Sequence, residues 1–376
     1  MKVLQFIPSL NAKDGGTTTY MKELTPALGK LVELHVCALG KVEDFVPLEN
    51  VTVHAIEVSL KHICRMKKQW LAVLEEVHPD IVHINCCWMP QCALVQFWTR
   101  QWQHSTPLSL ERVAGGESPI LLTPHGMLEP WIIGRNYWTK KLPAIWLYQR
   151  WAVKNADVIV STAEEERKHI QALGWNNNVA MVPNGIDTKS IVMKTEWNDA
   201  RNLLFMSRVH PKKGLEILIE ALTATEKLNL TIAGDGDADY IATLKKLVTT
   251  KGLDSRVKFV GPVYGEKKWE MIRQADVVAL TSYSENFGLI VAEALASGTP
   301  VLTTTGTPWK SIEERKCGWW IDPNVESVKR ALKGVEATLS SELKTMGVAG
   351  RQLIADEFDV NSLATSLTEI YREIAH

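Results

Sequence analysis

A strand, a polar loop and a helix follow one another between residues 276 and 302. Residues 276–280 form a short apolar run with two adjacent valines, as in a strand buried inside a parallel sheet. Helical spacing continues from Leu289 to Ala296, and Gly298 with Pro300 ends that helix. Gly288 lies at the start of the helix, where a glycine lets the backbone approach a ligand and free N–H groups attract an anion. The pattern predicts a phosphate-facing turn in an α/β sheet.

Two carboxylates accompany this turn. Glu285 comes just before the helix, and Glu293 lies eight residues later between two alanines. A glutamate that faces the protein interior needs a polar partner, and a sugar or ribose hydroxyl group would serve. The alternative is that Glu293 is a solvated helix charge and that Glu285 is favoured by the helix dipole. The local pattern leaves both interpretations open.

Length and charge limit the classes of protein that this chain can be. A chain of 376 residues suggests two domains of ordinary size, each with its own core. The net charge of −1 argues against a nucleic acid as the main partner. No apolar run reaches the roughly 18 residues of a membrane span, and the N-terminal residues resemble a first strand more than a signal peptide. We therefore expect a cytoplasmic protein.

The six cysteines show neither a C-x-x-C pair nor a Cys/His spacing typical of metal ligands. Cys86, Cys87 and Cys92 lie close together in sequence, but buried free thiols explain such a group better than a metal site does. The sequence therefore predicts no structural zinc, no other metal and no cofactor.

A second glycine turn lies near the N-terminus. Residues 3–7 are apolar, Gly15 and Gly16 follow, and a helical pattern runs from Met21 to Leu31. Strand, glycine loop and helix are the layout of a phosphate-facing turn. The loop is not G-x-G-x-x-G and has no P-loop lysine, so binding of a dinucleotide or of ATP has little support. A plain turn is the alternative.

Three charged or polar side chains follow predicted strands. His125 comes after residues 120–123, at the strand end where open α/β sheets bind ligands, although a lone histidine is more often structural. Arg208 and Lys213 follow the apolar run that begins at Asn202. Two cations five residues apart suit a diphosphate, because arginine offers a planar fork and lysine a compact charge. A solvated loop is the alternative for that pair.

Aromatic and basic side chains alternate from Trp131 to Lys154. Such a face can lie in a lipid headgroup region, with tryptophan at the interface and cations on anionic lipid. The alternative is an amphipathic helix whose tryptophans pack in the domain core while its cations are solvated.

Five motifs, taken together, resemble one family. Glu285 and Glu293, with seven residues between them, match the E-x7-E signature of the retaining GT-B glycosyltransferases of glycosyltransferase family 4. One segment, 306–310, departs from the pattern, since many members carry a glycine-rich stretch followed by Pro-Glu there. The companion motifs occur in the family's order: Gly15-Gly16, His125-Gly126, Pro-Asn-Gly-Ile-Asp at 183–187, and Arg208 with Lys213.

The resemblance implies an α/β protein with the GT-B fold, in which two doubly wound Rossmann-like domains face each other across a cleft. Residues 1–190 would form the acceptor-binding domain, and 199–360 would form the nucleotide-sugar-binding domain. Residues 188–198 would contain the linker, and 361–376 would form a helix that crosses back to the first domain.

The implied activity is a metal-independent sugar transfer that retains the anomeric configuration. The donor would be a nucleoside diphosphate sugar, expected to be UDP-linked. The acceptor would be a hydroxyl group of a saccharide, expected to be lipid-linked, in surface polysaccharide or glycan synthesis. A peripheral contact with the inner face of an anionic membrane is part of this expectation. The alternatives are a GT-B nucleotide-sugar epimerase or hydrolase, and a non-catalytic module that binds sugar nucleotide or membrane.

The resemblance also implies roles for individual residues. Arg208 and Lys213 would hold the diphosphate, Glu285 would orient hydroxyl groups of the donor sugar, and Glu293 would hold ribose. His125 would touch the sugar hydroxyl groups without acting as a base. The implied catalytic residues are His125, Arg208, Lys213 and Glu285, and the implied donor-binding residues are Gly15, Gly16, Thr17, Asn184, Gly261, Asn286, Phe287, Gly288, Leu289 and Glu293.

Overall fold

The computed structural model describes residues 1–11, 16–57, 62–105 and 117–375, and the statements below concern these residues. The chain forms two compact units. The first comprises residues 1–185 together with the C-terminal segment that starts at residue 360, and the second comprises residues 186–359. Each unit is built around its own parallel sheet.

The first unit contains a seven-stranded sheet in which all strand pairs are parallel, in the order β3-β2-β1-β4-β5-β6-β7. Three neighbouring strands, at residues 81–85, 120–123 and 158–161, are apolar on at least one face, as expected for strands covered by helices. The strands are β1 (Lys2–Ile7), β2 (Glu33–Leu39), β3 (Thr52–Ile56), β4 (Ile81–Asn85), β5 (Ile120–Thr123), β6 (Val158–Ser161) and β7 (Val179–Met181).

Helices connect these strands and cover the sheet. The second of them is amphipathic and buries Met66, Trp70 and Leu74 at helical spacing. The helices of residues 1–185 are α1 (Gly16–Leu28), α2 (Ile63–Val77), α3 (Pro90–Ser105), α4 (Pro130–Gly134), α5 (Leu142–Ala144), α6 (Arg150–Lys154) and α7 (Glu164–Leu173).

The second unit repeats this architecture with six parallel strands in the order β10-β9-β8-β11-β12-β13. Its strands are β8 (Asn202–Met206), β9 (Asn229–Ala233), β10 (Val257–Gly261), β11 (Val277–Leu280), β12 (Val301–Thr304) and β13 (Gly318–Ile321). Its helices are α8 (Leu215–Leu222), α9 (Ala238–Thr250), α10 (Glu266–Gln274), α11 (Leu289–Ala296), α12 (Ser311–Glu314), α13 (Val325–Ala337) and α14 (Ser340–Glu357).

The C-terminal helix, α15 (Val360–Ala375), belongs to the first unit. It packs against α1 and buries Leu363, Leu367 and Tyr371 in the same cluster as Val3 and Ile7 of β1. Residues 188–198 lie in the second unit. There the Lys194 ammonium donates to the Ala275 carbonyl oxygen at 2.8 Å, and Trp197 Nε1 donates to the Gly298 carbonyl oxygen at 3.0 Å.

Both sheets reverse their strand order at one point. The reversal lies between β1 and β4 in the first unit and between β8 and β11 in the second. Open α/β sheets bind ligands outside the carboxyl ends of the strands at such a point. The glycine loop after β1, the loop after β8 and the loop after β11 are therefore the places where ligand-binding residues are expected.

The α/β class with two doubly wound sheets, predicted above, is confirmed. The helix predicted from Leu289 to Ala296 has these bounds in the structure. The first helix differs, because it already includes Gly16 and ends at Leu28. Helix α3 has no counterpart in the sequence prediction.

The aromatic and basic segment 130–154 is not one amphipathic helix. Helices α4, α5 and α6 alternate in it with two π-helical turns, at Tyr137–Lys141 and Ile145–Gln149. The tryptophans at 138 and 146 are 78% and 79% exposed, so core packing, the alternative above, is wrong for both. Within the described ranges, no helix is long and apolar enough to cross a membrane.

Candidate functional site

The loop after β8 is fixed against the loop after β11. A single 3₁₀ turn, Pro211–Lys213, ends at Gly214, whose φ is +62°. A Cβ atom at Gly214 would lie 2.2 Å from the carbonyl oxygen of Thr281, so a larger residue would push the two loops apart. The Tyr283 N–H donates to the Lys212 carbonyl oxygen at 2.9 Å and completes the contact.

These loops bring together two of the predicted site residues. The Lys213 ammonium forms an ion pair and hydrogen bond with Glu285 Oε1, and both side chains are largely buried, at 16% and 12% exposure. The Ser282 hydroxyl donates to the same carboxylate oxygen at 2.7 Å. Arg208, at the end of β8, is exposed and has no ion pair with any carboxylate in the described part of the chain. The site therefore offers one paired and one unpaired cation.

Glu293 is buried in α11, so the interpretation of it as a solvated helix charge is wrong. Its carboxylate oxygen lies 2.5 Å from the ammonium of Lys268, a residue of α10 that the sequence reasoning missed. Burial raises the pKa of Glu293, and the charge and hydrogen bond of Lys268 oppose that increase. Lys268 is thus the polar partner that a buried glutamate requires.

The loop 306–310, whose contacts the sequence does not predict, supports the loop that carries Glu285. The Glu285 N–H donates to the Gly306 carbonyl oxygen at 2.7 Å, and a Cβ atom at Gly306 would lie 2.4 Å from the Tyr283 carbonyl oxygen. Trp309 is fully buried, and its Nε1 donates to the Phe287 carbonyl oxygen at 2.5 Å. The segment 306–310, which departs from the family pattern, therefore holds the backbone of the loop that carries Glu285.

The remaining donor-binding candidates of the second unit lie around α11 and β10. Gly288 caps α11 with φ +81°, and Leu289 is the first helical residue. The first turn of any helix leaves N–H groups without intrahelical partners. Phe287 is buried and Asn286 is half-buried. Gly261 ends β10 with φ +74°, and no atom lies within 4 Å of the position of a Cβ atom there.

In the first unit, the candidates follow the carboxyl ends of β1, β5 and β7. Gly15 falls outside the described residues, whereas Gly16 and Thr17 begin α1. The Thr17 side chain hydrogen-bonds to Cys86, the first residue after β4. Asn184 is buried, and its side-chain oxygen has no hydrogen-bond partner among the described residues.

His125 follows β5 in a left-handed backbone conformation, with φ +53°. Its Nε2 lies 3.1 Å from the side-chain oxygen of Asn85, and the Tyr20 ring packs edge-on against it at 4.7 Å between ring centroids. Burial lowers the pKa of His125 to about 3, so the ring is neutral near pH 7. The geometry therefore suits a hydrogen-bonding role.

A buried carboxylate fixes the turn that carries His125. Glu166 Oε1 accepts a hydrogen bond from the Gly126 N–H at 2.5 Å, and its Oε2 accepts from the Thr162 N–H at 2.7 Å. Such charge-assisted bonds hold an unfavourable backbone conformation. Nothing in the local sequence indicates this role, because Glu166 is one of three consecutive glutamates in the first turn of α7.

Within the described ranges, no group of three or more histidine, cysteine, aspartate or glutamate side chains could hold a metal ion. Cys86, Cys87 and Cys92 are buried free thiols, as predicted, whereas Cys64 is exposed.

Comparison with family models identifies the chain. Residues 14–190 match the model "Glycosyltransferase Family 4", and residues 187–352 match the model "Glycosyl transferases group 1". Together the two matches extend from residue 14 to residue 352. The chain belongs to glycosyltransferase family 4.

Known proteins are similar to this chain in sequence, and solved structures are similar to it in fold. The D-inositol 3-phosphate glycosyltransferase of Corynebacterium efficiens is 28% identical over 250 residues, which are 59% of this chain and 57% of that protein. The sucrose-phosphate synthase of Thermosynechococcus elongatus has a TM-score of 0.79 at 18% identity, covering 100% of this chain and 99% of that one. The Anabaena protein HepE, in complex with UDP-glucose, has a TM-score of 0.74 at 18% identity, covering 99% and 100%. The two structures show that this family member has the GT-B fold.

Proposed function

We propose that this protein is a glycosyltransferase that moves a sugar from a UDP-linked donor to a hydroxyl group of a saccharide acceptor, with retention and without a metal ion. The observation that carries the proposal is the Lys213–Glu285 pair at the switch point between β8 and β11, with exposed Arg208 in the same loop after β8. HepE, which has the same fold, binds UDP-glucose in its structure. Family membership supports the reaction class.

In this proposal the two cations replace a metal. Arg208 and Lys213 stabilise the negative charge that develops on the diphosphate as it leaves, and preorganised charges of this kind are among the largest contributions to catalysis. When the Lys213 ammonium pairs with the diphosphate, Glu285 becomes available to accept hydrogen bonds from the donor sugar. Glu293, held by Lys268, binds the ribose hydroxyl groups.

His125 contributes hydrogen bonds to the sugar, since a ring whose pKa is about 3 stays neutral. No side chain is assigned as the base. As the bond between the anomeric carbon and the phosphate breaks, the leaving phosphate takes the proton of the acceptor hydroxyl group, and the new glycosidic bond forms. The acceptor then attacks from the face of the sugar that the phosphate leaves, which gives retention.

Nucleotide binding provides the direct test. We expect UDP to raise the melting temperature in the presence of EDTA, because a ligand that binds only the folded state at 100 times its Kd adds about 2.7 kcal/mol of stability. GDP and ADP should give smaller shifts at the same concentration, and Arg208→Ala should reduce the shift caused by UDP. A shift with none of the nucleotides would contradict the proposal, and consumption of a UDP-sugar without any acceptor would favour the epimerase or hydrolase.

For the acceptor, we propose a lipid-linked saccharide reached from an anionic membrane surface. The segment 130–154 contains five lysines and arginines but no aspartate or glutamate. Trp138, Trp146 and Leu147 are each at least 78% exposed on it. Exposed tryptophan beside unopposed cations fits the headgroup region of an anionic bilayer.

The same segment is tied to the loop after β4. Lys141 Nζ lies 3.7 Å from the centroid of the Trp88 ring, and the Tyr148 hydroxyl donates to the Trp88 carbonyl oxygen at 2.6 Å. Trp88 Nε1 in turn donates to the carbonyl oxygen of Met127, two residues after His125, at 2.6 Å. A lipid-linked acceptor held at the segment would therefore be close to the loop that carries His125.

Vesicle binding tests the membrane proposal. We expect the protein to sediment with vesicles of phosphatidylglycerol and phosphatidylcholine at low salt, and to bind pure phosphatidylcholine far less. Replacing Trp138 and Trp146 by alanine should weaken binding roughly tenfold or more, given the apolar area that each ring would bury. Tyr264→Ala is the matched control, because Tyr264 is 77% exposed in the second unit. Equal binding by the double variant and the wild type would contradict the assignment of this surface.

A further inference from the structure

A chain of hydrogen bonds leads from the His125 ring into the core of the first unit. His125 Nε2 lies 3.1 Å from Asn85 Oδ1. Asn85 Nδ2 donates to Gln5 Oε1 at 3.2 Å, and Gln5 Nε2 donates to the hydroxyl oxygen of Tyr371 at 3.0 Å. The chain thus connects the end of β5 with the C-terminal helix, through the central strands β4 and β1.

The chain continues beyond Tyr371. Its hydroxyl group lies 2.7 Å from His83 Nδ1, and His83 Nε2 lies 2.6 Å from the hydroxyl oxygen of Thr123, the last residue of β5. Burial, together with His125, lowers the pKa of His83 to about 3, so this ring is neutral as well. A neutral imidazole has one donor and one acceptor nitrogen.

The other five members of this hydrogen-bond network are fully buried, with no exposed surface. In the strand register Gln5 is beside His83, and Asn85 is beside Thr123. These polar side chains therefore share one face of the sheet, the face whose apolar residues pack with α15. Because an unsatisfied buried polar group is costly, a network at this depth persists only if each member keeps its partners.

The donors in this network all point in a consistent direction. Gln5 Nε2 donates to the Tyr371 hydroxyl oxygen. In the arrangement that continues this direction, the Tyr371 proton goes to His83 Nδ1 and His83 donates from Nε2 to Thr123. On the other side, Asn85 uses its Nδ2 group on Gln5 and can offer only its oxygen to the histidine. With both amide groups in this orientation, a neutral His125 ring carries its proton on Nε2, and Nδ1 keeps a lone pair.

We propose that Tyr371 is a positioning residue that, through Gln5 and Asn85, holds His125 as the Nε2–H tautomer and so makes Nδ1 a hydrogen-bond acceptor for a substrate hydroxyl group. The contact with substrate rests on the proposed function, whereas the tautomer does not. Glu166 fixes the backbone of the turn, and the Tyr371 network fixes the ring. A hydroxyl group must then donate to His125 to be bound there, which selects a group with a free proton over an ether or ester oxygen.

Nitrogen NMR of protein labelled with ¹⁵N-histidine tests the tautomer. His125→Gln assigns the signals by removing them. In the wild type we expect Nε2 of His125 to be the protonated nitrogen and Nδ1 the unprotonated one at neutral pH. Tyr371→Phe keeps the ring but removes the hydroxyl group that orients Gln5, so both tautomers should be populated and the two nitrogen shifts should approach each other. Turnover with a UDP-sugar should fall roughly tenfold, with little change in KM, since about one hydrogen bond is weakened.

Thr368→Val is the matched control. Thr368 is buried in the same helix, but its hydroxyl group donates only to the Ala364 carbonyl oxygen, at 2.7 Å, so the His125 signals and turnover should stay as in the wild type. The proposal is overturned if wild-type His125 is protonated on Nδ1, or if Tyr371→Phe leaves its tautomer unchanged. The wild-type spectrum decides the first point even if Tyr371→Phe does not fold. The spectra are recorded without substrate, so failure of the proposed transfer reaction would appear in the turnover assay and not in them.

Discussion

Replacing Lys213 by alanine is expected to reduce turnover of a UDP-sugar by roughly 10²–10³-fold, the loss typical of one preorganised charge donor. The reason is its position: the ammonium lies on the 3₁₀ turn after β8, largely buried, and contacts Glu285 directly. A diphosphate that enters this site would meet a cation that is already desolvated and oriented. Steady-state kinetics of purified variants would measure the effect on kcat and KM separately.

The Lys213→Ala result needs a control, because the change also leaves Glu285 without its ammonium partner. Arg208→Ala supplies one, since Arg208 has no ion pair with any carboxylate of the described ranges and its loss should spare stability. We expect a comparable loss of turnover with an unchanged melting temperature. Lys251→Ala removes a pair with Glu220 that is one-third exposed and should be nearly neutral. Near-normal turnover of either site variant would refute the assigned role of that cation.

Local sequence pattern was sufficient for many elements of this fold, but not for helix α3 or for the interrupted helices of segment 130–154. Strands such as β11 are short and continuously apolar because both faces are covered by helices, and each ends in a polar or glycine turn. Helix α11 could be delimited because Gly288 and Gly298 mark its two ends. The strand order could not be inferred, because it depends on which strands pair in space and every strand has a similar apolar pattern.

The candidate site was predictable where its residues follow a strand or belong to a motif, as Glu293 of helix α11 does. Arg208, Lys213 and Glu285 follow strands directly, so their chemistry is visible in the sequence. Lys268 is one of two adjacent lysines on a polar helix, and nothing local shows that its ammonium meets Glu293. The polar residues of the network were visible in the strands, but Gln5 and Tyr371 are 366 residues apart and meet only in the folded unit.

Replacing Trp309 by alanine should cost about 3–5 kcal/mol of stability, as expected when a fully buried tryptophan is truncated in a core. The ring packs against Phe287 and Phe358, with centroids 5.0 and 4.9 Å away, and its Nε1 holds the Phe287 carbonyl oxygen. In a unit of this size the melting temperature should fall by roughly 10 °C. Calorimetry of the purified variant would measure this change.

Activity should respond to the same position in a graded way. Trp309→Phe keeps most of the packing but removes the hydrogen bond to the Phe287 carbonyl oxygen. We therefore expect a clear loss of turnover with only a small loss in the free energy of unfolding. Trp138→Ala is the matched control: that ring is 78% exposed, and its loss should change the free energy of unfolding by less than about 0.5 kcal/mol. If Trp309→Phe were as active as the wild type, the segment 306–310 would contribute only to the stability of the core and not to the position of the loop that carries Glu285. Reduced turnover at near-normal stability would instead show that this segment sets the position of the loop that carries Glu285.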